Sequence, residues 1–125
     1  MILKNSLYTV ISKNVVDTSI RYDIHLDANH FIYQAHFPGE PITPGVCILQ
    51  IAKELLEVEL KQQLRIEMVK NIKFLNVISP LEMPEITYVY DKITADDAAT
   101  SYKVQVQAQS AGVLLAKLSF TCKKK

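Results

Sequence analysis

The chain has 125 residues, which is enough for one domain with a sizeable core. Hydrophobic residues make up 49% of it and charged residues 22%, the composition of an ordinary globular protein. Fourteen basic and thirteen acidic residues leave a net charge of +1, which argues against a nucleic-acid-binding surface of clustered basic residues. Two cysteines are too few for a disulfide framework or a four-ligand zinc site.

The beginning of the chain, M-I-L-K-N, lacks the long apolar stretch of a signal peptide. The longest uninterrupted apolar run, residues 46–49, is far shorter than a membrane span. The sequence therefore predicts a cytoplasmic protein with no membrane span.

The first half of the chain predicts two strands and a long loop. Residues 7–12 form a plausible first strand, and apolar and polar residues alternate over residues 19–27, which is typical of a half-buried strand. Three prolines and one glycine then interrupt residues 28–44, which we expect to be mainly loop.

A helix is predicted over residues 46–60, where glycine and proline are absent and where leucine, glutamate and lysine favour a helix. Its first half is almost wholly apolar or small, so we expect it to be buried. The second half should emerge into water because it carries Lys53, Glu54, Glu57, Glu59 and Lys61.

The rest of the chain predicts strands over residues 66–76, 86–90, 102–109 and 113–122, with turns at residues 96–97 and 110–112. One buried helix with five or six strands predicts an α+β protein in which an antiparallel sheet packs on the helix. We expect residues 1–125 to form a single domain.

The most specific motif spans residues 35–50 and reads A-H-F-P-G-E-P-I-T-P-G-V-C-I-L-Q. It resembles the signature of the 3-hydroxyacyl-(acyl-carrier-protein) dehydratases, the FabZ/FabA type of hot-dog protein. Their pattern is G-H-F-P-G-x-P-x-x-P-G-V, followed by a helix with an acidic residue. The residues that match in register are His36, Phe37, Pro38, Gly39, Pro41, Pro44, Gly45 and Val46.

This resemblance implies a hot-dog fold, a curved antiparallel sheet wrapped around one central helix that begins near Gly45. It also implies a dimer or higher oligomer whose two acyl-thioester tunnels lie at the interface between protomers. Each active site takes its histidine from one protomer and its helix acid from the other. The implied partner is an acyl carrier protein with a phosphopantetheine-linked acyl chain, and no metal or other cofactor is needed.

Elimination of water from a 3-hydroxyacyl thioester needs a base for the C2 proton and an acid for the departing hydroxyl. By resemblance, His36 is the base, and the Gly45 amide at the helix start donates to the thioester carbonyl. The substrate-binding residues that the resemblance implies are Phe37, Gly39, Pro44, Gly45 and Val46.

The chain departs from the family at the helix acid, four residues after Val46, where it has Gln50. A glutamine amide donates and accepts hydrogen bonds but does not protonate a leaving group at neutral pH. We expect Gln50 to hold the hydroxyl or a water while His36 returns the proton. Glu54 lies one helical turn further on and Glu40 lies in the loop, so we expect neither to replace the acid.

Three functions follow from these residues. The first is a dehydratase-like protein that forms a trans-2-enoyl thioester in fatty-acid or related lipid or polyene biosynthesis. The second is a non-catalytic acyl-thioester-binding protein, or one subunit of a mixed dehydratase dimer that takes its acid from a related partner. The third is an acyl thioesterase. The sequence leaves three questions open. They are the length of the acyl chain, whether it is carried by a carrier protein or by coenzyme A, and whether the protein is a dimer or a hexamer.

Cys47 lies at the predicted helix start, where the helix dipole would favour a thiolate. A small buried side chain is the commoner role of such a cysteine, and we prefer that role to a nucleophile. The histidines at positions 25, 30 and 36 share no ligand spacing, so we expect no metal site.

Overall fold

The computed structural model describes residues 2–35 and 39–125, and its main feature is one six-stranded sheet. The strands are β1 (Tyr8–Val16), β2 (Ser19–Leu26), β3 (Leu64–Phe74), β4 (Glu85–Ala95), β5 (Ser101–Ser110) and β6 (Val113–Lys124). Their spatial order is β1-β2-β4-β5-β6-β3, and every neighbouring pair is antiparallel, so β1 and β3 are the two edges.

The long helix α2 (Gly45–Leu60) packs along one face of this sheet. It begins after the extended residue Pro44 and ends at Lys61, whose left-handed backbone (φ 54°) closes the last turn on the Glu57 carbonyl. Two tyrosines of β4 fasten the helix to the sheet. The Tyr88 hydroxyl donates to the Ile48 carbonyl at 3.0 Å, and Tyr90 donates to Ala52.

The core lies between α2 and the sheet, and the alternating pattern of the strands sets which side chains enter it. In β5 the apolar set is buried, as the sequence predicts, and the lysine and glutamines between its members lie on the other face. The buried set is Tyr102, Val104, Val106 and Ala108. The predicted α+β hot-dog fold is confirmed.

Some element bounds differ from the sequence prediction. The predicted loop 28–44 contains a single helical turn, α1 (Ile32–Ala35), which is too short for a periodic pattern. Strand β4 runs on to Ala95, beyond the predicted end at residue 90. A bulge between Tyr90 and Lys92 shifts the alternation of apolar and polar residues, and this shift hides the continuation of the strand in the sequence. Within the described residues, neither helix is long and apolar enough to cross a membrane.

The prediction that the second half of α2 emerges into water is wrong for two acids. Glu54 is completely buried and Glu57 is 7% exposed. Buried carboxylates persist only when hydrogen bonds replace the lost water, and both receive such bonds from backbone amides elsewhere in the chain. Lys61 is exposed, as expected.

Candidate functional site

The backbone amide groups at the start of α2 fall into two pairs. The N–H groups of Cys47 and Ile48 both donate to the Pro44 carbonyl, at 3.0 and 3.1 Å. Those of Gly45 and Val46 have no acceptor among the residues that the structure describes. Unpaired amides at the positive end of a helix can stabilise a carbonyl oxygen that gains negative charge.

An apolar groove of about 290 Å³ lies beside Gly45. The Phe74 ring lies directly against Gly45, because a Cβ atom at position 45 would be only 2.7 Å from Phe74 Cζ. Glycine is therefore required there for the ring to keep its place. The groove can hold an apolar chain, and its other apolar lining residues are Ile42, Ile48, Leu75, Val77 and Ile78.

The predicted site residues of the preceding loop are described only in part. His36 and Phe37 lie outside the described residues. Gly39 has φ +92°, a left-handed conformation that favours glycine. Pro44 is buried, whereas the Val46 side chain is 75% exposed and does not line the groove.

Gln50 is half-buried and lines a different cavity, of about 530 Å³, that runs toward the end of α2. The structure therefore does not bring Gly45 and Gln50 into one cavity of a single chain. Three lysines line the cavity with Gln50, and they are Lys53, Lys61 and Lys125. The Glu57 carboxylate also lines this cavity, so its lining carries three positive side chains and one negative one.

The Gln50 amide is bonded to Glu54, one turn further along the helix. Gln50 Nε2 donates to Glu54 Oε2 at 2.8 Å. The same carboxylate accepts the Tyr8 hydroxyl at 3.1 Å and the backbone amides of Ile2, Leu3 and Lys4 at 2.8–3.2 Å.

These donors also set the charge of Glu54. Burial by itself would raise the pKa of Glu54, but the hydrogen bonds from Gln50, the backbone amides and Tyr8 outweigh it. The pKa therefore lies below the usual value, and the group is ionised at neutral pH. The sequence signal that could have revealed this role is a glutamine and a glutamate at i and i+4 beside an apolar stripe.

Two further acids of α2 bind other segments of the chain. Glu57 Oε2 accepts the amide of Leu64 at 2.8 Å, at the start of β3. Glu59 Oε1 is 2.7 Å from Lys13 Nζ on β1 and accepts the Tyr22 hydroxyl of β2 at 2.8 Å. Glu54, Glu57 and Glu59, hereafter the three helix acids, thus join α2 to separate segments.

The cysteines have the structural role that the sequence favours. Cys47 and Cys122 are buried and free. Burial raises the pKa of the Cys47 thiol, and it raises that of Cys122 to about 12, so both are thiols at neutral pH. Across residues 2–35 and 39–125, no three histidine, cysteine, aspartate or glutamate side chains are grouped to hold a metal ion.

Comparison with known families adds a sequence-level match to this geometry. The profile of the ApeI-like family, described as ApeI dehydratase, matches residues 12–113. No curated protein sequence matches the chain.

Solved structures match almost the whole chain. The dehydratase heterocomplex ApeI:P from Xenorhabdus doucetiae contains a chain with 15% identity and a TM-score of 0.69, covering 93% of this chain and 97% of that one. An uncharacterized protein from Erwinia carotovora has 18% identity and a TM-score of 0.61, with 93% of each chain covered. A mutant thioesterase from Pseudomonas aeruginosa has 14% identity and a TM-score of 0.62, covering 91% and 79%. At these identities the structures support the fold.

Proposed function

The chain belongs to the ApeI-like dehydratase family, and from that premise we propose that it acts on 3-hydroxyacyl thioesters and eliminates water to form the trans-2-enoyl thioester. The observation that carries the proposal is the start of α2, where two amides have no acceptor among the described residues and Gly45 lines an apolar groove. The motif over residues 35–46, which resembles that of the FabZ/FabA dehydratases, supports the same reaction.

In the proposed mechanism, the Gly45 amide donates to the thioester carbonyl as the C2–H bond breaks. His36 takes the C2 proton and returns it to the 3-hydroxyl. The C2=C3 bond forms, the C3–O bond breaks and water leaves, so no oxidant or cofactor is consumed. Because Gly45 and Gln50 line different cavities of one chain, the Gln50 that binds the hydroxyl belongs to a second protomer, and it does not act as an acid.

The test is enoyl formation from a (3R)-3-hydroxyacyl carrier-protein thioester, followed at the absorbance of the enoyl product. We expect turnover by the native protein and a loss of about 10²–10⁴-fold in His36→Ala. Full activity in His36→Ala, with the fold intact by circular dichroism, would overturn the mechanism. Release of free thiol without enoyl product would instead identify thioester hydrolysis.

The carrier protein is the proposed form of the substrate because Lys53, Lys61 and Lys125 line the cavity that contains Gln50. Carrier proteins that are acidic would be attracted to such a surface. Comparison of carrier-protein and coenzyme A thioesters of the same acyl chain tests this preference. A higher kcat/KM for the carrier protein that falls with added salt is the expected result, and equal values would contradict it.

A mixed dimer is the second candidate, and the amide at position 50 favours it. Edge strand β3 and the segment after it expose Met68, Val69, Phe74, Leu75 and Val77. Unpaired strand edges and exposed apolar patches are typical of association surfaces. The chain from Xenorhabdus doucetiae comes from a dehydratase heterocomplex, which supports the same possibility for this chain.

The mixed-dimer proposal predicts that this chain alone is inactive and gains activity with a related dehydratase subunit that has an acid at the position of Gln50. Light scattering and turnover of the single and mixed proteins measure this directly. Turnover by the homo-oligomer alone would favour the first candidate.

A further inference from the structure

The bond between Gln50 and Glu54 fixes which way the glutamine amide faces. An ionised carboxylate has no hydrogen to donate, so only the NH₂ end of the Gln50 amide can lie 2.8 Å from Glu54 Oε2. The carbonyl end, Oε1, is thereby turned away from Glu54. Within the described residues Oε1 has no hydrogen-bond partner, and Gln50 lines the cavity of about 530 Å³.

Glu54 itself is held firmly in place. Its side chain is completely buried, and its two oxygens accept five hydrogen bonds. The donors come from three separate parts of the chain, namely the segment before β1, the first residue of β1 and helix α2. A carboxylate with so many donors cannot rotate without losing several of them, so it is a rigid acceptor for the Gln50 amide.

We propose that Glu54 is a positioning residue, which holds Gln50 with Oε1 available to the cavity so that a ligand hydroxyl, rather than a ligand carbonyl, is the group recognised there. This inference rests on the proposed function, because the hydroxyl is identified as the 3-hydroxyl of the acyl thioester. The proposed function assigns the hydroxyl to Gln50. The new step is that Glu54 decides which end of the Gln50 amide faces the cavity.

The orientation suits an elimination that lacks a side-chain acid at this position. A hydroxyl that donates its hydrogen to Gln50 Oε1 keeps its oxygen lone pairs free. One of those lone pairs can take the proton removed from C2, and the oxygen then leaves as water. The opposite amide orientation would occupy a lone pair of the same oxygen.

The first experiment uses Glu54→Gln, which keeps the shape of the side chain. The new amide is uncharged, so the contact with the Gln50 amide changes whichever end takes the place of Oε2. Where the NH₂ end takes that place, Gln50 is expected to turn Oε1 toward it. Tyr8→Phe is the matched control because it removes one donor from Oε1 of Glu54 and leaves the Gln50 contact on Oε2.

The readouts are chosen to separate positioning from general stability. The side-chain amide signals of Gln50 are measured by ¹⁵N NMR without substrate and assigned by their loss in Gln50→Leu. We expect the chemical shifts of these signals to change in Glu54→Gln and to stay the same in Tyr8→Phe. With substrate, we expect kcat to fall on the order of 10²-fold in Glu54→Gln with little change in KM, while Tyr8→Phe keeps near-native kcat.

A reciprocal exchange tests the same pair in the other direction. Gln50→Glu alone puts two carboxylates in contact, and like charges in a shared site oppose ionisation. Gln50→Glu combined with Glu54→Gln gives residue 50 an amide partner again. We expect the double variant to be more stable and more active than Gln50→Glu alone.

Several results would overturn the positioning role. These are unmoved Gln50 signals in Glu54→Gln, equal losses of kcat in Glu54→Gln and Tyr8→Phe, or equal activity of Gln50→Glu and the double variant. The substrate-free NMR result is independent of turnover. If the signals move as expected but the native protein forms no enoyl product, the proposed function fails while control of Gln50 by Glu54 holds.

Discussion

The two halves of helix α2 treat polar groups in opposite ways. At the helix start, the amides of Gly45 and Val46 have no acceptor among the described residues, and Gly45 lines an apolar groove. Over residues 50–60, each of the three helix acids accepts a hydrogen bond from another segment of the same chain, and the one oxygen among them that is buried without a partner in the described residues is Glu57 Oε1. Free polar groups suit a ligand, whereas satisfied ones suit stability. The comparison indicates that the first half serves binding and that the second half holds the fold and orients Gln50.

Removal of the Glu54 carboxylate should have the largest effect on stability. Glu54→Ala leaves the Tyr8 hydroxyl and three backbone amides without their acceptor. Because each buried donor that loses its partner costs about 1–3 kcal/mol, we expect the free energy of unfolding to fall by about 3 kcal/mol or more. Urea denaturation measures this change.

An exposed glutamate provides the control for that variant. Glu67 is exposed, and within the part of the chain that the structure describes its one ion pair is a long one to Lys123 at 3.9 Å. Glu67→Ala should change the free energy of unfolding by less than about 0.5 kcal/mol. An equally small change in the free energy of unfolding for Glu54→Ala would mean that the Glu54 carboxylate does not stabilise the fold.

At the other end of the helix, Gly45→Ala should affect activity more than stability. A Cβ atom there would be 2.7 and 2.9 Å from Phe74 Cζ and Cε2, so the ring must move. The ring is 51% exposed and can swing outward, and alanine favours the helix. We expect less than about 1 kcal/mol of change in stability and at least a tenfold loss of kcat/KM.

The smaller side chain of Phe74→Leu should relieve the contact. Combined with Gly45→Ala, it should restore part of the lost activity. A loss of several kcal/mol in Gly45→Ala alone would instead mean that the ring is fixed and belongs to the folded core.

The same contrast explains what the sequence could predict. The first half of α2 follows a motif of glycines and prolines, and these residues dictate backbone geometry locally. The bounds of α2 were predictable to within a residue for this reason. The buried faces of the strands were predictable from their alternation of apolar and polar residues. The roles of His36, Gln50 and the substrate-binding residues stay predictions, and His36 and Phe37 lie outside the described residues.

The three helix acids could not be predicted in the same way. A glutamate in a helix looks alike in sequence whether it is solvated or buried, because its partners come from distant segments. Glu54 meets Leu3 across 51 positions and Tyr8 across 46 positions of the chain. Only the tertiary packing of the segment before β1 makes the position a buried one.

Acid should weaken the fold through the same carboxylates. The pKa of Glu54 is lowered on folding, because the donors from Gln50, the backbone and Tyr8 outweigh the opposing effect of burial. Its contribution to stability is therefore complete above the unfolded pKa of about 4.3 and is lost as pH falls through the lower folded pKa. Glu59 behaves in the same direction, as Lys13 and Tyr22 outweigh its burial.

Urea denaturation between pH 7 and pH 3 measures this loss. We expect the free energy of unfolding to decline below about pH 4 in the native protein and to decline less in Glu54→Gln, which has no carboxylate to protonate. Identical pH dependence in the two proteins would contradict the lowered pKa of Glu54.

The smallest expected effect concerns the thiols, and it compares a cysteine in the first half of α2 with one in the sheet. A helix start lowers a thiol pKa, but burial outweighs this at Cys47 and raises its pKa. Cys122, on β6, has a pKa raised to about 12 by burial, with a smaller opposing effect of Lys53.

Iodoacetamide at pH 8 should therefore modify both thiols at least tenfold more slowly in the folded protein than in urea, since only the thiolate reacts. Cys47 is 7% exposed and Cys122 is fully buried, so Cys47 should react first. Alkylation of Cys47 is located by peptide mass spectrometry. Fast alkylation in the folded protein would mean that the helix start lowers the pKa of Cys47 more than burial raises it.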